Sequence, residues 1–218
     1  MLRTLDRIAH ALGWIVLAVV SAASGWLILV RIVRHFVKFP APAFIGRGLD
    51  SPFRKAMQSP EVLARRADIR PGMTVLEVGC GPGTFTTMAA LCARPGVVHA
   101  VDIQPQMIAQ LEAKLAREGV SNVMPHVASA YELPLDDTSV DRAYLVTVLA
   151  EIPDHVRALR EIRRVLKPDG LLAVSEFLPD PDYPRRSTVI GWCRAAGFEL
   201  VGRAGGLLEY TLTFRPVG

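Results

Sequence analysis

The sequence predicts an α/β fold built on a mostly parallel sheet with a reversed last strand, preceded by one membrane-spanning helix. Three observations carry this. Residues 11–30, ALGWIVLAVVSAASGWLILV, contain no charged side chain. From residue 73 onward, short apolar runs alternate with amphipathic helical stretches, the pattern of a sheet covered by helices on both faces. The last two apolar runs are separated only by about three residues around Ala204-Gly205-Gly206. So short a link cannot form a parallel crossover, so the final strand must turn back.

The charge-free run would make a helix of roughly 30 Å, the thickness of a bilayer core. Trp14 and Trp26 lie near its ends, where indole rings favour the headgroup boundary. A cleaved signal peptide would end near Ser21, Ala22 and Ala23, but the apolar run continues through Val30. A helix apolar all round is also ill suited to an interface, which needs a polar face. Arg31, Arg34, His35 and Lys38 close the segment. Residues 1–70 hold 11 Lys and Arg against 4 Asp and Glu, and the remainder holds 14 against 17. The basic excess therefore surrounds the apolar segment and reads as a patch facing anionic headgroups rather than nucleic acid. Its concentration on the C-terminal flank places the following domain in the cytoplasm, in a single-pass arrangement. Cys80, Cys92 and Cys193 are odd in number and lack metal-ligand spacing, which fits a reducing compartment and predicts no metal centre.

The expected organisation is an anchor with its basic flank over 1–38, a juxtamembrane linker over 39–58 and the main domain over 59–218. Pro and Gly punctuation over 36–57 suits either a segment lying on the membrane or an ordinary connector. Ser59-Pro60-Glu61 has the form of a helix start, with the helix ending near Asp68 before Arg70-Pro71-Gly72. Strands are predicted at 73–79, 97–103, 122–127, 141–148, 170–177, 198–203 and 207–215. Helices are predicted near 83–93, 105–118, 154–166 and 185–196. Val156, Leu159, Ile162 and Val165 recur at helical spacing in the third of these.

The chemistry-bearing motif is EVGCGPG, Glu77 to Gly83, set between the first strand and a helix. Glycines there allow a sharp turn and close approach of a ligand, and the helix start offers free N–H groups. Asp102, at the end of the next strand, is placed to accept both hydroxyls of a ribose. A dinucleotide loop is disfavoured, because the third glycine of G-x-G-x-x-G is Thr84 and Pro82 removes an N–H from any phosphate cradle.

EVGCGPG, the Asp102 strand end and LREIRRVLKPDGLLAVSEF (159–177) together resemble the class I S-adenosylmethionine (SAM)-dependent methyltransferases. The closest resemblance is to the small-molecule branch of quinone and arsenite methyltransferases, over residues 52–216. It implies a Rossmann-like seven-stranded sheet with an antiparallel last strand, over a methyltransferase domain at 59–218, with SAM as cofactor. It places Gly79, Gly81 and Gly83 along the cofactor, with Cys80 and Pro82 supplying backbone only. Glu77 suits the cationic methionine moiety, directly or through water, and Ile103 would pack on adenine. Ser129, beside Ala130, stands where the family usually carries an acid for the adenine amine. Asp141 matches a strand-opening acid with a structural role.

On the acceptor side, Glu151 is the candidate catalytic residue, fitting a proton acceptor or a partner for a cationic acceptor, or else a capping or surface carboxylate. Glu176, at the end of the fifth strand, is open in the same way, and Asp154 reads as a helix cap. His126 and His155 read as structural, while Tyr131 and Tyr183 are placed near the pocket. A membrane tether points to a lipophilic acceptor, whether a phospholipid amine, a quinone precursor or a thiol. A SAM-binding membrane scaffold without catalysis is the alternative. Nucleic acid is not an expected partner, since the Asn/Asp-Pro-Pro-aromatic motif is absent at Leu149-Ala150-Glu151-Ile152.

Overall fold

The computed structural model describes residues 50–178 and 180–217, together with residues 10, 13–15, 17–19, 21, 22 and 25. The chain divides into two units, Met1–Lys38 and Phe39–Gly218. In the first unit the described residues are helical, and Trp14, Ile15, Leu17 and Val19 are 54–69% exposed. The rest of the expected anchor and most of the linker lie outside the described residues. Among the described residues, no helix is long and apolar enough to cross a membrane.

The second unit opens with two short helices, α1 (Pro52–Met57) and α2 (Pro60–Arg66). Both begin with the same chemistry. Ser51 Oγ accepts from the Arg54 amide at 3.3 Å, and Ser59 Oγ accepts from the Val62 amide at 3.3 Å. A proline follows each cap, where its missing N–H costs nothing. Helix α1 thus falls within the stretch expected to be a linker.

Then follow β1 (Val75–Val78), α3 (Thr86–Ala93), β2 (Val98–Asp102), α4 (Pro105–Glu118), β3 (Val123–Val127) and β4 (Val140–Val146). A 3₁₀ turn (Leu149–Glu151) leads to α5 (His155–Val165), β5 (Leu166–Phe177), α6 (Arg186–Ala195), β6 (Phe198–Gly205) and β7 (Glu209–Pro216). Asp154 caps α5 by accepting from the Arg157 amide at 3.0 Å, as its position suggested. Gly119 ends α4 in the left-handed conformation at φ 64°.

The seven strands form one sheet in the order β3-β2-β1-β4-β5-β7-β6. All pairs are parallel except those of β7, which runs antiparallel to both β5 and β6. The Rossmann-like α/β architecture and the reversed last strand are therefore as expected. One apolar layer packs Leu76, Ala143, Leu145, Leu172 and Val174 beneath Leu159, Ile162 and Val189 of α5 and α6. The opposite layer packs Val75, Val98, Tyr144 and Ala173 beneath Leu63 of α2 and Ala89 and Ala90 of α3. Adjacent β1 and β4 are the point where the chain reverses its direction of travel across the sheet. In such sheets ligands bind in the crevice beyond the strand ends at that reversal.

Candidate functional site

Strand β1 delivers its last residue to that crevice. The amides of Gly79 and Cys80 both donate to Val101 O, at 2.7 and 3.0 Å, which fixes the loop against the end of β2. Gly79, Gly81 and Gly83 all have positive φ, at 73°, 52° and 85°. A Cβ on Gly79 would lie 2.5 Å from both γ carbons of Val148, whereas one on Gly81 would meet nothing within 4 Å. Gly79 therefore permits close packing of two strand ends, and Gly81 leaves an open cradle. Cys80 turns its side chain into the layer of Ala100, Ile108 and Leu111, so only its backbone borders the loop. Pro82 is buried.

Asp102 sits opposite this cradle. Its Oδ2 accepts from the Gly81 amide and its Oδ1 from the Gln104 amide, each at 2.9 Å. Burial raises its pKa, and backbone donors at Gln104, Gly81 and Ile103 oppose the rise. Each carboxylate oxygen retains a lone pair for a further donor. Ile103 beside it is 57% exposed. The Ala128 amide donates to Asp102 O at 3.1 Å, bringing the half-buried Ser129 and Ala130 to the same edge. Ser129 Oγ accepts from the Tyr131 amide at 3.2 Å.

Glu77 lies behind the loop. It is 2% exposed and accepts from Thr86 Oγ1 at 2.5 Å. Burial pushes its pKa from 4.5 to about 7, with Thr86 and Lys114 opposing and Asp102 adding. Lys114 donates to Gly83 O at 2.7 Å and to Asp50 Oδ1 at 2.9 Å, pinning the loop to α4 and to the approach to α1.

The other side of the crevice is bordered by α1, which lies within the stretch expected as a linker. Arg54 Nη2 donates to Thr147 Oγ1 at 2.8 Å, and its guanidinium lies 5.9 Å from the centroid of Phe85. Thr147 has φ 55°, a strained setting for a β-branched residue, of the kind that concentrates at functional sites. Gln58 Nε2 donates to Ser175 Oγ at 3.2 Å. The repeated Ser-Pro start at 51–52 and 59–60 was the available signal for α1. Its docking against β4 and β5 had none.

Glu151 is half-buried in the 3₁₀ turn, and its charge acts on both Arg54 and Glu176. Glu176, 1% exposed at the end of β5, has its pKa pushed well up by burial and then by Asp180, Glu151 and Asp182. Other sequence-marked residues serve the frame. Asp141 accepts from the Thr74 amide at 2.8 Å and from Lys167 Nζ at 2.6 Å, at the opposite end of the strands. His126 Nε2 lies 3.0 Å from His99 Nδ1, and His155 stacks on Trp192 at 3.8 Å. Tyr131 Oη accepts from the Asp154 amide at 2.9 Å, and Tyr183 Oη donates to Leu207 O at 3.0 Å.

Residues 76–174, which hold the glycine loop, Asp102 and the 3₁₀ turn, match the protein family described as "Methyltransferase domain". Among curated proteins the chain is 30% identical over 125 residues to a demethylmenaquinone methyltransferase of Geobacillus stearothermophilus, covering 57% of this chain and 53% of the relative. It is 39% identical over 114 residues to the ubiquinone/menaquinone biosynthesis C-methyltransferase UbiE of Bordetella avium, covering 51% and 44%. The chain spans about half the length of these relatives. A crystal structure of a SAM-dependent methyltransferase from Aquifex aeolicus shares the fold, with a TM-score of 0.77 at 24% identity over 82% of this chain and 100% of that one. The methyltransferase domain match stops short of Arg54 and Gln58 on one side and Glu176, Asp180 and Tyr183 on the other.

Proposed function

We propose that this chain is a SAM-dependent methyltransferase, tethered to a membrane through residues 11–30, that acts on a small lipophilic acceptor. The observation carrying the methyltransferase reading is the pairing of the open Gly81 cradle with Asp102, whose two oxygens are already oriented by the Gly81 and Gln104 amides. The residues present fit SAM. Asp102 has the spare lone pairs to hold both ribose hydroxyls, and exposed Ile103 supplies an apolar face for adenine. Ser129 offers a hydroxyl near the adenine amine, and buried Glu77 supports the positive methionine end. SAM supplies an electrophilic methyl group on a sulfonium. The chain's own task is positioning, which accounts for a large share of the barrier in a bimolecular transfer.

The lipophilic acceptor is supported by the charge-free helix and by the quinone methyltransferases among the relatives. Exposed Trp14, Ile15, Leu17 and Val19 support the anchor, and Arg31, Arg34, His35 and Lys38 support a cytoplasmic catalytic domain beside anionic headgroups. Calorimetric titration with SAM, followed by mass spectrometry of membrane lipid extract incubated with isotopically labelled SAM, tests the reading. Labelled methyl in a lipid-soluble product is the expected result. Tight binding with no transfer would favour a SAM-binding scaffold, and no binding would refute the site.

A further inference from the structure

The acceptor side contains a group that the cofactor does not use. Glu176 is 1% exposed, and its Oε1 has no hydrogen-bond partner. A buried polar atom left unpaired costs roughly 1–3 kcal/mol, and besides Glu176 Oε1 the side chains of Arg54 and Gln58, also on this side of the sheet, each carry one. Its position is the carboxyl end of β5, two strands from the glycine loop, on the rim where such sheets bind ligands.

The surroundings select among the lipophilic acceptors. The charged groups acting on Glu176 are Asp180, Glu151 and Asp182, all acidic. Arg54 faces Asp180 and Glu151, and Arg186 lies 5.2 Å over the ring of Tyr210. Tyr210 and Tyr183 meet edge to face at 5.5 Å, and Glu176 acts on both. A phenol or thiol becomes a strong nucleophile as its anion, which these carboxylates repel. An amine arrives as a cation, which they attract. It also brings N–H donors for the unpaired oxygen.

Resting on the methyltransferase reading, we infer that the acceptor is a lipophilic amine whose nitrogen binds Glu176, and that Glu176 holds the amine's proton during transfer. In the complex one proton is shared between the nitrogen and the Glu176 carboxyl. With that proton on Glu176, the nitrogen lone pair forms the N–CH3 bond while the S–CH3 bond breaks and its electron pair stays on sulfur. The positive charge thereby passes from sulfur to nitrogen, and one proton is released per methyl added to an entering ammonium. The raised pKa of Glu176 suits a carboxyl basic enough to take the proton of the bound ammonium.

The test uses the full chain with SAM and three probe acceptors of equal tail: 1-octylamine, 4-octylphenol and 1-octanethiol. Methylated products are counted by mass spectrometry. In parallel, octyltrimethylammonium, which accepts no methyl, is titrated into the SAM-free protein. We expect methylation of octylamine, a loss of about 100-fold or more in that rate in Glu176→Gln, and about tenfold weaker binding of octyltrimethylammonium to the variant. Methylation of the phenol or thiol with the amine untouched would overturn the inference and leave the methyltransferase reading standing. Bound SAM with no probe methylated, or an unchanged rate in Glu176→Gln, would also overturn it. Failure to bind SAM would overturn the methyltransferase reading, and the quaternary ammonium titration then judges the cation site by itself.

Discussion

Glu77 should make the fold less stable as pH rises. Its carboxyl is fully buried, and burial lifts its pKa from 4.5 to about 7. In the unfolded chain it returns to the ordinary value. Below 4.5 both states are protonated, so the fold pays nothing for the group. Between 4.5 and 7 the unfolded chain gives up its proton while the folded one keeps it, which favours unfolding. Above 7 the folded state holds a buried carboxylate, and the full gap corresponds to about 3 kcal/mol. Glu77→Gln keeps the volume and an oxygen to accept from Thr86 Oγ1, and it cannot ionise. Urea denaturation of parent and variant at pH 5 and pH 8 isolates the effect, because other titrating groups are common to both. The stability difference should move by roughly 2–3 kcal/mol in favour of the variant between those two values. A difference equal at both pH values would refute the argument. The same linkage reaches the ligand: a cation near Glu77 lowers its pKa, so SAM should bind the parent with proton release near pH 7. Calorimetry in two buffers of different ionisation heat reads that release, which Glu77→Gln should abolish.

Asp102→Ala removes the acceptor of both the Gly81 and Gln104 amides, and should weaken SAM by about 100-fold or more in a calorimetric titration. Unchanged affinity would take Asp102 out of the site. Gly79→Ala sets a Cβ 2.5 Å from both γ carbons of Val148 at φ 73°, and should destabilise the fold by about 2 kcal/mol in urea denaturation. Adding Val148→Ala should restore part of that loss, and no restoration would point to backbone strain alone. Deleting residues 1–38 should move the protein from the membrane pellet to the supernatant, and continued sedimentation with membranes would refute the tether.

The strands were legible because each is a local apolar run between turn residues, and six of the seven begin within two residues of expectation. The exception is β5, expected from 170 and observed from Leu166. Pro168, Asp169 and Gly170 read as a turn, yet Leu166 still pairs with Val140 across an irregularity before Leu171 pairs with Arg142. The glycine loop was legible for a related reason. Its shape rests on backbone conformation at the alternate positions Gly79, Gly81 and Gly83, and glycine identity reports that directly. Glu77 was found by position, but its burial under Thr86 was not, because burial depends on where α3 lands.

The acceptor side obeys different physics. Arg54 reaches Thr147 across 93 residues of sequence, and Gln58 reaches Ser175 across 117. No short-range pattern encodes contacts of that span. The glycine loop and Asp102 lie inside the stretch that matches the methyltransferase-domain family, while Arg54, Gln58, Glu176, Asp180 and Tyr183 lie outside it. The two halves of the site can therefore change separately. Backbone geometry around Gly81 and Asp102 tolerates few alternatives, whereas side chains carried by α1 and by the segment after β5 can be exchanged without disturbing the glycine loop. A relative that methylates a quinone thus informs the donor half of this site. The acceptor half has to be argued from its own charges, and these point to a cation.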